Sequence, residues 1–263
     1  MGRAKEIIVK VIPAKIANEF VKKHHYSGKV VPNSTLHFGA FLDDKLHGVL
    51  SYGTSMDKRK VLPLVTNTLW NEMLELNRMA FDNYLPANSE SRCISISIKL
   101  IKKNAPHIKW ILSYSDGTQC GDGTIYRASG FYLTGVKENK TILEWNGKVI
   151  ADKTLNNSNY KKIGMSAGEA KRQGAKPLNG FQLRYIYLID KSCKITVPIL
   201  PFSKIDEMGA GMYKGQKISL AERKALSGVV ESNADSRLDA ERVTTTLTPP
   251  TETNISKENQ KSK

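Results

Sequence analysis

Long apolar runs are missing from this chain. No stretch approaches the roughly 18 consecutive apolar residues that a membrane helix needs, so a spanning segment is excluded. The first twelve residues lack an apolar core followed by a small-residue cleavage site, and no secretory signal is expected. Cysteine is scarce: Cys93, Cys120 and Cys193 are odd in number and widely scattered, which excludes a disulfide framework and a CxxC metal knuckle. The five histidines, His24, His25, His37, His47 and His107, show no HxxxH spacing, so no metal site is expected; a site gathered from His25, His37 and Asp116 is the remaining option. The last 46 residues contain no Phe, Tyr or Trp, and a segment ending TTTLTPPTETNISKENQKSK cannot bury enough apolar surface to offset its ordering entropy. Disorder is expected over 218–263, with room for a short helix at 219–226.

Acidic charge is also in deficit. There are 40 Lys and Arg against 25 Asp and Glu in 263 residues, a net charge of +15. Residues 218–263 hold seven basic and seven acidic side chains, so the whole surplus falls on 1–217. That concentration points to a polyanionic partner, with nucleic acid foremost.

The body alternates strands and helices. Strands are predicted at 6–12, 36–41, 46–52, 74–81, 110–115, 131–136, 141–145 and 181–189. Asp43 and Asp44 form the turn of a hairpin. Helices are predicted at 13–23, with Ile16, Phe20 and Val21 on one face, at 66–73, and at 124–128, stopped by Gly130. The segment 91–103 (SRCISISIKLIKK) is ambiguous: its β-branched residues favour a strand, its length and basic end a helix. The pattern implies a mixed, twisted sheet flanked by helices. Three parts are expected: a catalytic core over 1–150, a basic extension with one further strand over 151–217, and the tail.

Chemistry concentrates between residues 74 and 131. A strand leads through a loop to a helix start at Asn88-Ser89-Glu90-Ser91-Arg92, where Ser89 is the expected N-cap and the first-turn amides with Ser91 and Arg92 make an anion site. A second strand ends at Asp116, and a short helix then carries Tyr126 ahead of Gly130-Phe131. This order resembles the core of the GNAT N-acyltransferases, including their Tyr-x-x-x-Gly-Phe run. The resemblance implies a fourth strand that splays from the fifth, a donor pyrophosphate at the following helix start, and a Tyr as general acid. The family's glycine-rich pyrophosphate loop is absent, which leaves open whether the donor is acyl-CoA or a glycine-derived or aminoacyl compound.

A more extensive resemblance is to the phage Mom family of GNAT-like DNA modification proteins. It is carried by His24-His25-Tyr26-Ser27-Gly28, Leu36-His37-Phe38-Gly39, Leu76-Asn77-Arg78-Met79-Ala80-Phe81, Ser115-Asp116-Gly117-Thr118-Gln119-Cys120-Gly121 and Pro198-Ile199-Leu200-Pro201-Phe202, and spans about 5–215. The resemblance implies conversion of adenine N6 to an N6-carbamoylmethyl form in phage DNA, protecting it from host restriction, in the host cytoplasm. It also implies functional positions at His25, Tyr26, Arg78, Asp116 and Tyr126.

Those residue types suit the reaction. Adenine N6 is a poor nucleophile because its lone pair is delocalised, so a base is needed: His25, alone or oriented by Asp116. Tyr126 would protonate a leaving group, Tyr26 would stack on an extruded adenine, and Arg78 would bind donor phosphate. Each also has a plainer reading: a helix end capped by Gly28 for His25 and Tyr26, a turn for Asp116, packing for Tyr126, a local ion pair for Arg78. For DNA, the loop 161–176 offers Lys161, Lys162, Lys171, Arg172 and Lys176. Two other functions fit the sequence, an acetyl-CoA-dependent N-acetyltransferase on protein or small-molecule amines and a basic DNA-binding protein without activity. A dimer is left open.

Overall fold

The computed structural model describes residues 3–118, 121–152, 155, 165–210, 212–213 and 216–217. The elements run β1 (Ile8–Val11), α1 (Ala14–His24), β2 (Ser34–Leu42), β3 (Lys45–Gly53), α2 (Lys58–Val61), β4 (Met73–Phe81), α3 (Ser89–Asn104), β5 (Trp110–Asp116), α4 (Thr124–Ala128) and β6 (Tyr132–Glu138). They continue with β7 (Ile142–Trp145), β8 (Lys148–Ala151), α5 (Ala167–Arg172), β9 (Lys176–Pro177), β10 (Phe181–Leu188), α6 (Ser203–Glu207), β11 (Met212–Tyr213) and β12 (Gln216–Lys217).

Seven strands form one sheet in the order β1-β2-β3-β4-β5-β10-β6, and β8-β7-β9 form a small second one. The turn between β2 and β3 is built by Asp43 and Asp44, both at positive φ (50° and 57°), the backbone twist that lets a two-residue connection join right-twisted strands. The sheet is mixed because one pair is parallel. β4 and β5 pair from Met73↔Trp110 to Leu76↔Ser113 and no further, although both strands continue. Ser113 Oγ donates to the Leu76 carbonyl at 3.1 Å on that last rung. Beyond it β4 stays with β3, which pairs Ser51 with Arg78 and Tyr52 with Leu76, so Asn77 is the extra residue of a β-bulge. β5 stays with β10, paired through Asp116↔Gln182. The strands therefore splay, as the GNAT resemblance implies.

Both faces of the sheet are covered. On one, α3 buries Cys93, Ile94, Ile98 and Ile101 against Phe38, Leu50, Tyr52, Leu76 and Ile111. This spacing of apolar positions resolves the ambiguous 91–103 segment as helix. On the other, α1 buries Ala17 and Val21 against Ile12, Val49 and Ala80, while Val61, Leu64 and Val65 cover Met73, Trp110 and Leu112 further along. Fully burying side chains of this size stabilises by about 1.5–3 kcal/mol each.

Three local expectations change. Ile16 is 45% exposed, so the buried stripe of α1 runs through Ala17 and Val21 with Phe20 beside it. The helix predicted at 66–73 reduces to a 3-10 turn at Trp70–Glu72. Asn67 adopts φ 54°, Thr68 Oγ1 donates to the Val65 carbonyl at 3.1 Å, and Val65 bridges Ile195; these local bonds outcompete a helical turn. Ser89 is the first helical residue of α3, with Asn88 at φ 67° in the cap position, and the Ser89 hydroxyl donates to the Pro86 carbonyl.

The chain divides into two units, Met1–Val230 and Glu231–Lys263, and every element named above belongs to the first. The expected tail, with its short helix, lies outside the described residues. The late strand β10, drawn from 151–217, lies between β5 and β6. No helix among the described residues is long and apolar enough to cross a membrane.

Candidate active site

A cavity of about 560 Å³ opens where β4 and β5 part. β4 contributes Glu75, Leu76, Asn77, Arg78 and Met79; β5 contributes Tyr114, Ser115 and Asp116. The end of α1 brings His25 and Tyr26, the loop into α4 brings residues 121–126, and Asn139, Thr141, Ile142 and Gln182 close the rim. All five positions implied by the family resemblance, His25, Tyr26, Arg78, Asp116 and Tyr126, therefore meet in one place. Alternation along β5 puts Tyr114 and Asp116 on the face of Trp110 and Leu112, opposite Ile111 and α3. Tyr126 belongs to the α3-side core. The gap between the strands thus joins two sides of the sheet.

His25 caps α1, its backbone N–H donating to the Val21 carbonyl at 2.9 Å. Its Nδ1 accepts the Ser27 backbone N–H at 3.1 Å and lies 2.8 Å from Ser27 Oγ. An Nδ1 lone pair used in this way puts the proton of the neutral ring on Nε2. Burial lowers the His25 pKa to about 4, helped by the positive charge of Arg78 nearby, so the ring is neutral at physiological pH. Arg78 is itself held, its Nε donating to the Lys29 carbonyl at 2.9 Å and its Nη1 to the Asn77 carbonyl at 3.1 Å.

Three carboxyl side chains line the cavity, Glu75, Asp116 and Asp122, and Asp116 is the one that the family resemblance marks. Burial pushes its pKa up, and hydrogen bonds from Thr118, Tyr26 and Asn139 offset part of that. The Thr118 backbone N–H donates to Asp116 Oδ1 at 3.0 Å, so the strand-end turn expected here is also present. Tyr26 is 54% exposed and its ring lies 4.2 Å from that of His25. Tyr126 is buried, with Phe131 and Tyr185 at 5.5 and 5.1 Å between ring centroids. Packing and cavity lining coexist in this residue.

Two groups were missed in the sequence. Glu75 and Tyr114 line the cavity, and burial raises the pKa of each. The available signal was an acid within the otherwise apolar start of β4 and a tyrosine near the end of the apolar β5.

Other expected site residues lie elsewhere. Ser89, Ser91 and Arg92 sit at the start of α3 and do not line the cavity. Ser91 Oγ donates to the Asn88 carbonyl at 3.2 Å, and an Arg92 Nη2 to that of Lys5 at 3.3 Å. His37 is buried in β2, its Nδ1 2.8 Å from Ser51 Oγ, and does not join His25 and Asp116. Among the described residues no three His, Cys, Asp or Glu side chains cluster as metal ligands. Of the basic residues, Lys171 and Arg172 lie on α5, Arg172 paired with Glu169, and Lys176 is exposed on β9. Lys161 and Lys162 lie outside the described residues.

Where the mixed sheet splits at its parallel pair, a neutral histidine and a buried carboxylate thus line one cavity. The Mom protein family matches residues 6–204, and the chain belongs to that family. It is 36% identical over 154 residues to the methylcarbamoylase Mom of Escherichia phage Mu, an overlap covering 58% of this chain and 63% of that protein. The chain thus spans less than two thirds of that relative. Similar solved structures include the ribosomal-protein-S18-alanine N-acetyltransferase of Escherichia coli (TM-score 0.41, 8% identity, 70% of this chain and 94% of that one). A GNAT family acetyltransferase from Elizabethkingia anophelis is another (TM-score 0.39, 10% identity, 70% and 98%).

Proposed function

We propose that this protein is a phage-encoded DNA adenine-modifying transferase, acting in the host cytoplasm, that converts the N6 amine to an N6-carbamoylmethyl group. The observation that carries the reading is the convergence of His25, Tyr26, Arg78, Asp116 and Tyr126 in the opening between β4 and β5 of a Mom-family chain. The name of the Mu relative, a methylcarbamoylase, supplies the product class.

In this reading an adenine swung out of double-stranded DNA enters from the α1 side and stacks on the exposed ring of Tyr26. The Asp116 carboxylate accepts a hydrogen bond from N6–H and takes the proton as the new bond to carbon forms; the donor's leaving group departs with the electrons of the bond it loses. His25 presents Nε2–H as a donor to a ring nitrogen of the base, which orients the amine. Tyr126, on the α3 side, protonates the leaving group, and Arg78 holds an anionic part of the donor. The product needs a nitrogen-bearing two-carbon unit from a glycine-derived or aminoacyl donor: displacement at that donor's carbonyl gives the isomeric N6-glycyl group, which then rearranges to N6-carbamoylmethyl, whereas plain acetyl transfer from acyl-CoA gives N6-acetyl.

Plasmid recovered from cells expressing the protein should resist restriction enzymes whose sites contain adenine. Asp116→Asn should abolish that resistance; resistance that survives the substitution removes Asp116 from the chemistry.

A further inference from the structure

Between β3 and α2 the chain reads Thr54-Ser55-Met56-Asp57-Lys58-Arg59-Lys60, and Met56 is 85% exposed, well above Leu69 at 65%. A lone exposed apolar residue needs no explanation. What distinguishes Met56 is how its loop is held and what it borders. Asn33 Nδ2 donates to the Thr54 carbonyl, and the Ser55 side chain hydrogen-bonds Glu75. Asp57 caps α2 by accepting the Lys60 N–H at 3.3 Å, and Val61 and Leu64 anchor that turn in the core beside Trp110. Met56 is therefore presented outward by a loop pinned on both sides. Gly53, which leads into the loop, pairs with Glu75, and Val61 and Leu64 beyond it share a core cluster with Tyr114; Glu75 and Tyr114 line the cavity. The loop thus borders the cavity on the sheet face that α1 also covers, where Tyr26 and the exposed Lys22 and Lys23 stand. Lys58 and Arg59 are exposed, while Lys60 is paired with Asp57 at 3.1 Å.

We propose that residues 54–60 are a duplex-DNA contact in which Met56 enters the base stack where the adenine has left it and Lys58 and Arg59 hold the flanking phosphates. The proposal rests on the reading of the cavity as an adenine pocket. Extruding a base opens a gap, and an apolar side chain that fills it holds the extruded state open. An unbranched, polarisable Met suits an irregular gap. Two adjacent cations beside it neutralise phosphates whose counterions are released on binding.

The test uses the full chain and a duplex in which an adenine modified by the wild-type protein is replaced by 2-aminopurine, whose fluorescence rises on unstacking. Wild type should bind the duplex and raise the signal. Met56→Ala should bind but lower the signal by about fivefold, and Met56→Leu should restore it. The Lys58→Ala, Arg59→Ala double variant should flatten the dependence of affinity on salt by about two phosphate contacts. A wild-type signal unchanged in Met56→Ala overturns the wedge, and an unchanged salt slope overturns the phosphate contacts; both leave the adenine pocket standing. Wild type that neither binds duplex nor raises the signal overturns the pocket and this proposal together.

Discussion

The backbone N–H of Ser27 donates to Nδ1 of His25 at 3.1 Å, so the imidazole faces the cavity as a neutral ring with its proton on Nε2. A histidine fixed in this tautomer donates a hydrogen bond, and in the proposed reaction the proton-accepting part falls to Asp116, which lines the same cavity.

For His25 the expected outcome is that Gln, which keeps a donor N–H, retains more modification than Ala. His25→Gln should lose about tenfold and His25→Ala about a hundredfold or more. Equal loss in both variants contradicts the donor role. Nitrogen-15 NMR of labelled protein near pH 7 should show Nε2 protonated and Nδ1 bare.

Folded His25 titrates at about 4 against its ordinary 6.5, so between those values the unfolded chain binds a proton that the folded one refuses. This contribution to stability is complete above about pH 6.5 and is lost as pH falls toward 4. Melting temperatures measured across that window should decline more steeply in wild type than in His25→Gln.

Asp116 has the opposite sign. Burial raises its pKa, so the ionised form, present as pH rises past the ordinary carboxylate range, weighs against the fold. Asp116→Asn should melt at the same temperature as wild type at low pH and at the same or a higher one at pH 8, while modification falls by about a hundredfold or more. A strongly destabilised variant contradicts this account of the site.

Gly123 precedes α4 at φ 75°, and a Cβ placed there would lie 2.6 Å from the Tyr185 ring. Gly123→Ala should cost about 1–3 kcal/mol by denaturant unfolding and shift Tyr126. Tyr126→Phe keeps the ring packing with Phe131 and Tyr185, and should hold stability while slowing turnover.

Much of the sheet was legible because its strands advertise themselves: Trp110 to Asp116 is apolar and bounded by turn residues, and Asp43-Asp44 marks a hairpin. The helix expected at 66–73 failed where Asn67 and Thr68 bond locally, a competition that hydrophobic spacing does not register. The place of β10 between β5 and β6 was not legible, because strand order is set by which edges meet after the chain has crossed the sheet. Within the site, His25, Tyr26, Arg78, Asp116 and Tyr126 came from family strings rather than from spacing. Glu75 and Tyr114 became visible only when the splay of β4 and β5 turned them toward one cavity.

The basic residues of 161–176 make a separate expectation. Arg172 is already engaged with Glu169, so Lys171 and Lys176 are the described cations there most open to phosphate. Replacing both with Ala should weaken duplex binding and flatten its salt dependence by about two contacts; an unchanged slope places the DNA path elsewhere.

The most direct measurement is mass spectrometry of nucleosides from plasmid DNA of cells expressing the full chain, with Asp116→Asn alongside. The account predicts a deoxyadenosine heavier by a carbamoylmethyl group in place of one hydrogen, absent with the variant. Unmodified deoxyadenosine, or an acetyl group in that position, contradicts it.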